Sequence, residues 1–374
     1  MNTRPILDSS SGPVALSVSF NNDNTFFSVA LENGFRVYNT RTGDEYLARE
    51  LGGGIGSAEM IECSKYLALV GGGKQPEFPQ NKVQFWDDKG EKITMRVEFN
   101  APVQRVRVSQ THLIVVFLNR VSIYRMAIPP PKVADYETVN NPFGLCSLGE
   151  NTVIFPGIIA GQIKLFNLKT HNVSIINAHE APLRALSLGP KGDLLATASE
   201  KGTLVRIWSF PSCTKLAELR RGIDPAAIFS MAFSPSGAKL AVTSDKSTLH
   251  IWDLVSEGAG PDPDAKNHKW GILAKIPLLP RQFSDQYSSA QAKFEMGDEP
   301  VAGPAADSLA LHAGIPGVPG GRPTKGLLGW YNEETLFVVG AGKYDDAKWE
   351  KFIVGVDSAG KRAVYRDGWK RYLG

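Results

Sequence analysis

The stretch LLATASEKGTLVRIW, residues 194–208, has a near copy further along the chain in KLAVTSDKSTLHIW, residues 239–252. Each copy consists of an apolar run, a polar turn and a second run that ends in tryptophan. Successive side chains of a strand point to opposite faces, and Gly and Asn supply the tight turns elsewhere in such units. Each copy therefore predicts two strands joined by a short turn, and the pair indicates a repeated all-β unit.

The same ending, an aromatic residue inside a short β-branched run, recurs along most of the chain. Successive occurrences are 38–48 residues apart, which is typical of a four-stranded propeller blade. The aromatic residues are Tyr38, Trp86, Tyr124, Phe166, Trp208 and Trp252. Strands of a seventh unit are expected in TLFVVGAG (335–342) and FIVGVD (352–357). We predict an all-β protein: a seven-bladed β-propeller of WD-type repeats that forms one domain over residues 1–374.

Two stretches exceed what the repeat requires. Seven units need roughly 300 residues, whereas the chain has 374. We assign the surplus to long loop insertions at about 255–287 and 297–325, the second of which is rich in Gly, Pro and Ala. Loops of this length inside a compact domain are usually functional or disordered.

The charge balance and the N-terminus exclude several classes of protein. The chain carries 41 Lys and Arg against 38 Asp and Glu, a net charge of +3, which is too small for a general nucleic-acid binder. We therefore expect no nucleic-acid partner. The stretch MNTRPILDSS lacks the apolar core of a signal peptide, and LIVVFL (113–118) is too short to cross a bilayer. We expect a cytoplasmic protein.

No pattern for catalysis, a metal or a cofactor stands out. The three cysteines lie far apart and show no metal-ligand spacing; they are Cys63, Cys146 and Cys213. The glycine-rich stretches LGGGIG (51–56) and VGGGK (70–74) lack the spacing of nucleotide-binding loops, and we interpret them as turns between strands. We expect neither an enzyme nor a bound cofactor or metal ion.

The run KLAELRR (215–221) ends in two adjacent arginines. Because neighbouring strand residues point to opposite faces, Arg220 and Arg221 should face different clefts at the propeller rim. The run follows the aromatic strand of the fifth unit, so we predict that it forms the outermost strand of that blade.

Hydroxyl, imidazole and ammonium groups accompany both arginines, and such groups donate hydrogen bonds to phosphate oxygens, which arginine binds bidentately. Two phosphate pockets are thus one interpretation. The alternative is that arginines simply end an exposed strand, while His and Ser/Thr form the internal hydrogen bonds of WD-type blades. The residues around the fifth and sixth units are His179, Thr197, Ser199, Lys201 and Thr203, and then Ser244, Lys246, Thr248 and His250.

The stretch LRRG (219–222) resembles the signature of the PROPPIN family, seven-bladed propellers that bind phosphoinositides and include the WIPI proteins. FNNDNTFFSVALENGFRVYNT, starting at Phe20, and FSPSGAKLAVTSDKSTLHIWDL, starting at Phe233, are also similar to family segments. The resemblance runs from about residue 15 to 295. It implies a non-enzymatic effector that binds phosphatidylinositol 3-phosphate and phosphatidylinositol 3,5-bisphosphate on membranes. It also implies a role in autophagy, or in endosomal or vacuolar traffic.

The resemblance also implies which residues form the two pockets. The first pocket would contain Arg220, His179, Thr197, Ser199 and Thr203. The second pocket would contain Arg221, Ser244, Lys246, Thr248 and His250. The expected location is the cytoplasm and, peripherally, preautophagosomal, endosomal or vacuolar membranes.

The first insertion contains WGILAKIPLLPRQF, residues 270–283, a mainly apolar stretch with Lys269, Lys275 and Arg281 at its start and within it. An apolar segment with basic flanks beside two phosphate pockets suits insertion into a membrane interface. The alternative is that part of this segment folds back into the core. The expected inserting residues are Trp270, Ile272, Leu273, Ile276, Leu278, Leu279 and Phe283.

Protein binding is the competing class of function. In that case the chain is an interaction scaffold without lipid specificity, and the arginine pair binds an acidic peptide or closes a blade. Independently, the family resemblance implies a partner, the large lipid-transfer protein of autophagy. Its expected surface lies on blades 1–3, around Asn21–Asn24 and the 71–82 loop.

Overall fold

A computed structural model of the chain describes residues 12–210, 212–254, 286–295 and 314–373. These residues form seven β-sheets arranged as the blades of a propeller, with one turn of 3₁₀ helix, Pro319–Gly321. The predicted all-β, seven-bladed fold is therefore confirmed. Each blade contains four antiparallel strands; in blade 6 the fourth strand comes after a long insertion, and blade 5 has an additional short parallel strand.

The first four blades come from residues 15–177. Blade 1 contains β1 (Ala15–Phe20), β2 (Phe26–Leu31), β3 (Gly34–Asn39) and β4 (Glu45–Glu50). Blade 2 contains β5 (Ile55–Met60), β6 (Tyr66–Gly71), β7 (Lys82–Asp87) and β8 (Lys92–Glu98). Blade 3 contains β9 (Arg105–Val108), β10 (His112–Val116), β11 (Arg120–Arg125) and β12 (Lys132–Glu137). Blade 4 contains β13 (Ser147–Leu148), β14 (Thr152–Pro156), β15 (Gln162–Asn167) and β16 (Val173–Asn177).

The last three blades complete the ring. Blade 5 contains β17 (Leu183–Leu188), β18 (Leu194–Ser199), β19 (Leu204–Ser209) and β20 (Lys215–Arg220), with a short fifth strand β24 (Gln286–Tyr287). Blade 6 contains β21 (Ile228–Phe233), β22 (Lys239–Ser244), β23 (Thr248–Asp253) and β25 (Ala290–Lys293). Blade 7 contains β26 (Leu327–Trp330), β27 (Thr335–Val339), β28 (Lys348–Val356) and β29 (Arg362–Arg371).

The repeat of aromatic residues arises from the way the blades pack. Each of the six aromatics lies in the third strand of its blade and packs against the preceding blade. Trp252, for example, packs with Val205 and Leu219 of blade 5. In blade 7 the equivalent contact with blade 6 is made by Phe352. The hydrophobic core is thus divided among the seams between blades, and each seam requires a large apolar side chain at the same place in the repeat.

The first strand of each blade lines a central channel, and first strands of neighbouring blades contact one another around the whole ring. Blade 7 takes all four strands from the C-terminal part of the chain, and it includes both predicted strands of the seventh unit. Blade 1 packs directly on it: the Ala15 amide donates to the Gly342 carbonyl over 2.8 Å, and Trp349 Nε1 donates to the Thr40 carbonyl over 2.8 Å.

Residues 286–293 tie blade 5 to blade 6. The β24 strand pairs in parallel with Leu219 and Arg220 of β20, and β25 then pairs with β23. Two expectations need correction here. The strand β20 is not the outermost strand of blade 5 at its arginine end, and residues 286–287 are strand rather than loop, because β24 satisfies the free edge of β20. The rest of the first insertion, 255–285, lies outside the described residues.

The second insertion is described from residue 314 onward. We call the face of the ring at which the first strands begin the upper face, and the opposite face the lower face. The backbone of residues 314–325 crosses the channel on the upper face. Its hydrogen bonds reach blade 2, the blade 3–4 connection and blade 7: Gly73 N to Pro316 O (2.8 Å), Gly320 N to Pro142 O (2.8 Å) and Ala341 N to Thr324 O (2.6 Å).

The glycine-rich stretches allow this crossing. They lie at turns and strand ends of blade 2, as interpreted from the sequence. A Cβ on Gly56 would lie 2.3 Å from the Gly317 carbonyl oxygen, and one on Gly72 would lie 2.6 Å from the Pro316 carbonyl oxygen. Any larger residue at either position would require the backbone of residues 316–317 to shift away from blade 2.

The expected partner surface on blades 1–3 is split. Asn21–Asn24 form the turn after the first strand of blade 1, on the lower face, where Asn24 Nδ2 donates to the Trp330 carbonyl. The 71–82 loop lies on the upper face beside Pro316. A strand of six residues separates the two faces by about 20 Å. The two stretches therefore lie on opposite faces of the ring.

Candidate functional site

Blade 5 presents polar side chains to the clefts on both of its faces. We call the cleft between blades 4 and 5 the first cleft and the cleft between blades 5 and 6 the second cleft. The strand register places Arg220 on the same face as Glu218 and Arg206, toward blade 4, and Leu219 on the face that packs on blade 6. Arg221 follows on the blade 6 side. The expected divergence of the two arginines is present.

In the first cleft, Arg220 is partly buried at the end of β20. It pairs across the sheet with Leu204 on one side and with Tyr287 of β24 on the other. Two strands therefore hold its backbone, and its side chain extends along the face that carries Arg206.

His179 and Thr197 lie deeper in the first cleft. The Thr197 hydroxyl is fully buried and meets His179 Nε2 at 2.9 Å, Trp208 Nε1 at 3.0 Å and the Arg206 carbonyl oxygen at 3.4 Å. A threonine hydroxyl has one proton and two lone pairs, so these contacts use its full capacity. In this structure Thr197 positions His179 and Trp208 rather than facing a ligand.

Burial, and then the nearby Arg206 guanidinium, lower the pKa of His179 to about 4. His179 is therefore neutral at pH 7. Positive charge in the first cleft comes from the arginines, and the imidazole supplies a hydrogen-bonding group.

Ser199 and Thr203 flank the turn between β18 and β19. Ser199 is buried, and it follows Thr197 by two residues, which places both on one face of β18. The Thr203 carbonyl accepts a hydrogen bond from the Arg221 amide over 2.9 Å. The backbone of Thr203 is thus connected to Arg221 rather than to Arg220.

Arg221 enters the second cleft and is buried. Its Nε donates to the Gly202 carbonyl over 2.7 Å, and its Nη2 donates to the Asp224 carbonyl. Burial lowers the pKa of Arg221, while the carboxylates of Asp245 and Asp224 act in the opposite direction. Because backbone carbonyls hold it, the guanidinium has a fixed position facing blade 6.

Blade 6 contributes a chain of hydrogen-bonding side chains to the second cleft. His250 Nε2 lies 3.2 Å from Thr248 Oγ1, and His250 Nδ1 lies 3.2 Å from Ser288 Oγ. Ser244 is fully buried, 3.4 Å from Thr248 Oγ1. Lys246, in the adjoining turn, is exposed. The buried members orient the more accessible Thr248, Ser288 and Lys246.

His250 resembles His179 in its electrostatics. Burial, and then the charge of Arg221, lower its pKa to about 4. Its ring stacks on Trp252 with a centroid separation of 5.5 Å, and both ring nitrogens are occupied. It therefore holds Thr248 and Ser288 in place without adding charge at neutral pH.

Sequence reasoning missed Arg206, Ser288 and Asp245. Arg206 Nη1 donates to the Ala178 carbonyl over 2.6 Å, and Arg206 Nε pairs with Glu218 over 2.8 Å. Because strand side chains alternate between two faces, the stretch LVRIW (204–208) could have predicted that Arg206 lies on the same face as Trp208. No sequence signal pointed to Ser288, because β24 and β25 bring it to His250 from beyond a long insertion. Asp245 has a buried Oδ1 atom without a hydrogen-bond partner.

Other expected features have different outcomes. The seven apolar residues of the predicted membrane loop, Trp270 to Phe283, lie outside the described residues. In the described ranges, no group of His, Cys, Asp or Glu side chains is arranged to hold a metal ion. No helix in the same ranges has the length and apolar character needed to cross a membrane.

Comparisons with known proteins agree with this architecture. A solved structure of Kluyveromyces lactis Hsv2 superposes with a TM-score of 0.75 and covers 96% of this chain and 99% of that chain at 20% identity. A second solved structure, a complex of KlAtg21 with the coiled coil of AgAtg16, gives a TM-score of 0.69 at 16% identity, with 96% of this chain and 99% of that chain covered. Identity this low shows the shared fold alone.

Sequence comparisons carry the assignment further. SVP1-like protein 2 of Emericella nidulans is 50% identical over 323 residues, which cover 84% of this chain and 99% of the relative. SVP1-like protein 2 of Neurospora crassa is 40% identical over an alignment that covers 100% of this chain and 99% of the relative. A family model described as PROPPIN matches residues 15–294. The chain therefore belongs to the PROPPIN family, the phosphoinositide-binding β-propellers of autophagy.

Proposed function

We propose that this protein is a non-enzymatic peripheral membrane effector that binds phosphatidylinositol 3-phosphate and phosphatidylinositol 3,5-bisphosphate. Arg220 and Arg221 are the central residues of the two pockets, one in each cleft beside blade 5. Binding recruits the protein from the cytoplasm to preautophagosomal, endosomal or vacuolar membranes. The observation that carries the proposal is the divergence of the two arginines into clefts that each contain a histidine and buried hydroxyl groups.

The geometry supports a division of roles within each pocket. Thr197, Ser199, Ser244 and His250 are buried and support their neighbours. Groups nearer the surface would meet the phosphates: Arg220, His179 and Arg206 in the first cleft, and Lys246, Thr248 and Ser288 in the second. In the second cleft, Arg221 adds a positive charge at a fixed position, deeper than Lys246, Thr248 and Ser288. We assign Thr203 to the wall between the pockets.

Two pockets on one rigid blade give stronger membrane binding than either alone. A hydrogen bond to a charged group contributes only about 1.5–3 kcal/mol, and water competes for these groups at the rim. Linking two weak sites on one body raises apparent affinity by about 10²–10⁴-fold when both reach the same membrane. Both arginines lie at the outer end of blade 5, so a membrane approaching that edge meets both clefts.

Vesicle flotation tests the proposal. Vesicles with 3-phosphorylated phosphoinositide should retain the wild-type protein, and Arg220→Thr/Arg221→Thr should lower apparent affinity at least about 100-fold because both pockets are lost. Arg220→Lys/Arg221→Lys keeps the charge without the bidentate geometry and should also bind weakly.

The matched control is Arg96→Thr/Arg125→Thr, which removes two exposed arginines from blades 2 and 3. It should bind as the wild type does. Equal binding of the wild type to vesicles with and without the 3-phosphate would contradict lipid specificity and support the interaction scaffold instead.

A further inference from the structure

The central channel contains an arginine cluster that plays no part in the rim pockets. The channel has a volume of about 310 Å³ and is lined by the first strands of all seven blades. This volume is at the lower end of the roughly 300–1,000 Å³ found for small-molecule sites. Its charged lining residues, among those the structure describes, are Glu59, Arg105, Arg107 and Arg184.

Arg107 is compensated by its neighbours. Its Nη1 lies 2.6 Å from Glu59 Oε1 and 3.3 Å from Ser19 Oγ, and its Nε donates to the Cys146 carbonyl over 3.4 Å. These contacts occupy the carboxylate of the channel. The carboxylate of Glu59 also favours the charge of Arg105 electrostatically, but its two oxygens are hydrogen-bonded to Arg107 and Ser19.

Arg105 is compensated less than Arg107. Its Nη2 donates to the Phe143 carbonyl over 3.2 Å, while its Nε is buried without a hydrogen-bond partner. Burial, and then the charge of Arg107, lower the pKa of Arg105 to about 10. The fold thus buries the Arg105 guanidinium in surroundings that disfavour its charged form.

Arg184 approaches the same region from blade 5. Its guanidinium carbon lies 3.7 Å from the centroid of the Phe143 ring, which fixes the plane of the group. Phe143 accepts Arg105 through its carbonyl and Arg184 through its ring. Both guanidinium groups therefore contact one residue, Phe143, at the upper end of the channel.

The upper end is also covered. Residues 314–325 cross it and bond to blade 2, to the blade 3–4 connection and to blade 7. Hydroxyl groups line the wall below, on Ser19, Ser147, Ser187 and Ser230. At the lower end the lining residues are Asn21, Asn22 and Asn24. Charge interactions are stronger in such an enclosed site than in open water.

We propose that the channel binds a small phosphorylated anion, with Arg105 and Arg184 as its two guanidinium donors and the hydroxyls of Ser147, Ser187 and Ser230 as further donors. Two planar guanidiniums that line one channel suit the oxygens of a phosphate or diphosphate group, which accept bidentate hydrogen bonds. The anion would supply the partner that Arg105 Nε lacks and would offset the repulsion between Arg105 and Arg107.

This site is separate from the rim pockets. Arg105 and Arg184 lie on first strands, whereas Arg220 ends a fourth strand, so about three strand spacings of 4.8 Å lie between them. A lipid headgroup and a free phosphorylated metabolite share the same chemistry. The channel lies inside the ring, so we assign it to the soluble source.

Thermal unfolding with pyrophosphate at fixed ionic strength tests the proposal. Pyrophosphate should raise the unfolding midpoint by several degrees at concentrations well above its dissociation constant, because it binds only the folded chain. The rise should persist in Arg220→Thr/Arg221→Thr and disappear in Arg105→Gln. Soluble inositol 1,3-bisphosphate is the headgroup of phosphatidylinositol 3-phosphate. The rise in the unfolding midpoint that it causes should depend on Arg220 and Arg221 instead.

Three outcomes would overturn the channel site. The first is a rise no larger than that given by chloride at matched ionic strength, which indicates non-specific screening. The second is a pyrophosphate effect that disappears with the rim arginines. The third is an unchanged effect in Arg105→Gln. If that variant does not fold, Arg105→Lys replaces it: a smaller rise is expected, and a rise equal to that of the wild type counts against the site.

Discussion

At the scale of single residues, the environment of the two cleft histidines decides what each contributes. By residue type alone, nothing distinguishes His179 and His250 from other histidines. In the structure both lie in hydrogen-bond networks beside arginines. Both are neutral at physiological pH, so they orient hydroxyl groups instead of attracting phosphate by charge. The sequence predicted these residues as part of the site, and only the packing shows which groups each of them contacts.

The lowered pKa of His179 predicts an acid-sensitive fold. Between pH 6.5 and about 4 the unfolded chain takes up a proton that folded His179 does not, so the free energy of unfolding falls as the pH falls. At pH 5 the loss from this histidine should be about 1–2 kcal/mol. His179→Gln, which keeps a hydrogen-bonding group near Thr197, should reduce the difference between the thermal midpoints at pH 7 and pH 5.

The control for this measurement is His171→Asn, an exposed histidine in blade 4. Its replacement should leave the pH dependence of the midpoint unchanged. If His179→Gln and the wild type lose the same stability on acidification, then the proton linkage does not come from His179.

At the scale of elements, β24 connects the two clefts beside blade 5 to the first insertion. Trp252 Nε1 donates to the Gln286 carbonyl over 3.1 Å, and the Ser289 amide donates to the Ile251 carbonyl over 2.8 Å. The two ends of the insertion therefore lie side by side, and its C-terminal end pairs with Arg220.

This anchoring predicts separate contributions from the loop and the pockets. Replacing residues 269–283 with a Gly-Ser linker should leave the affinity for soluble inositol 1,3-bisphosphate unchanged. Binding to phosphoinositide vesicles should fall at least about 10-fold, because each inserted Leu or Ile adds about 1.5–3 kcal/mol when fully desolvated. Flotation measures binding to vesicles, and calorimetry measures the affinity for soluble inositol 1,3-bisphosphate.

Replacing the polar residues 256–268 by the same kind of linker is the internal control, and vesicle binding should then stay at the wild-type level. A vesicle affinity that is insensitive to the 269–283 replacement would exclude membrane insertion by this segment.

At the scale of the whole molecule, the ring separates surfaces that are close in sequence. The upper face carries the 71–82 loop, which forms a groove of about 420 Å³ with residues 100–102; Pro76, Phe78, Pro79 and Pro102 are among its lining residues. The lower face carries Asn21–Asn24. We therefore propose that the lipid-transfer protein of autophagy contacts the groove alone.

Charged substitutions test this surface. Pro79→Glu/Pro102→Glu places two carboxylates in an apolar groove and should lower binding of the lipid-transfer protein at least about 10-fold. Vesicle binding should not change, because the groove and the clefts lie on different blades. Co-precipitation and flotation report on the two activities.

The control is Ile128→Glu/Pro131→Glu on the lower side of blade 3, where Ile128 is 81% exposed. This variant should behave as the wild type in both assays. Retained partner binding in the groove variant would remove the groove from the proposal.

How much could be predicted from the sequence differs between fold and site. The sequence by itself determined the number of blades, since each seam needs one large side chain in the third strand and that demand repeats with the length of a blade. It also determined the divergence of Arg220 and Arg221, because alternation is a local property of a strand.

Only the tertiary structure decided which groups in the clefts remain accessible. Burial depends on neighbouring blades, so Thr197 and His250 became supports, while Arg206 and Ser288 joined the site from distant positions. The arginines of the channel were equally hidden in the sequence: Arg105 and Arg184 meet at Phe143 only because the ring closes and brings blades 3, 4 and 5 around one axis.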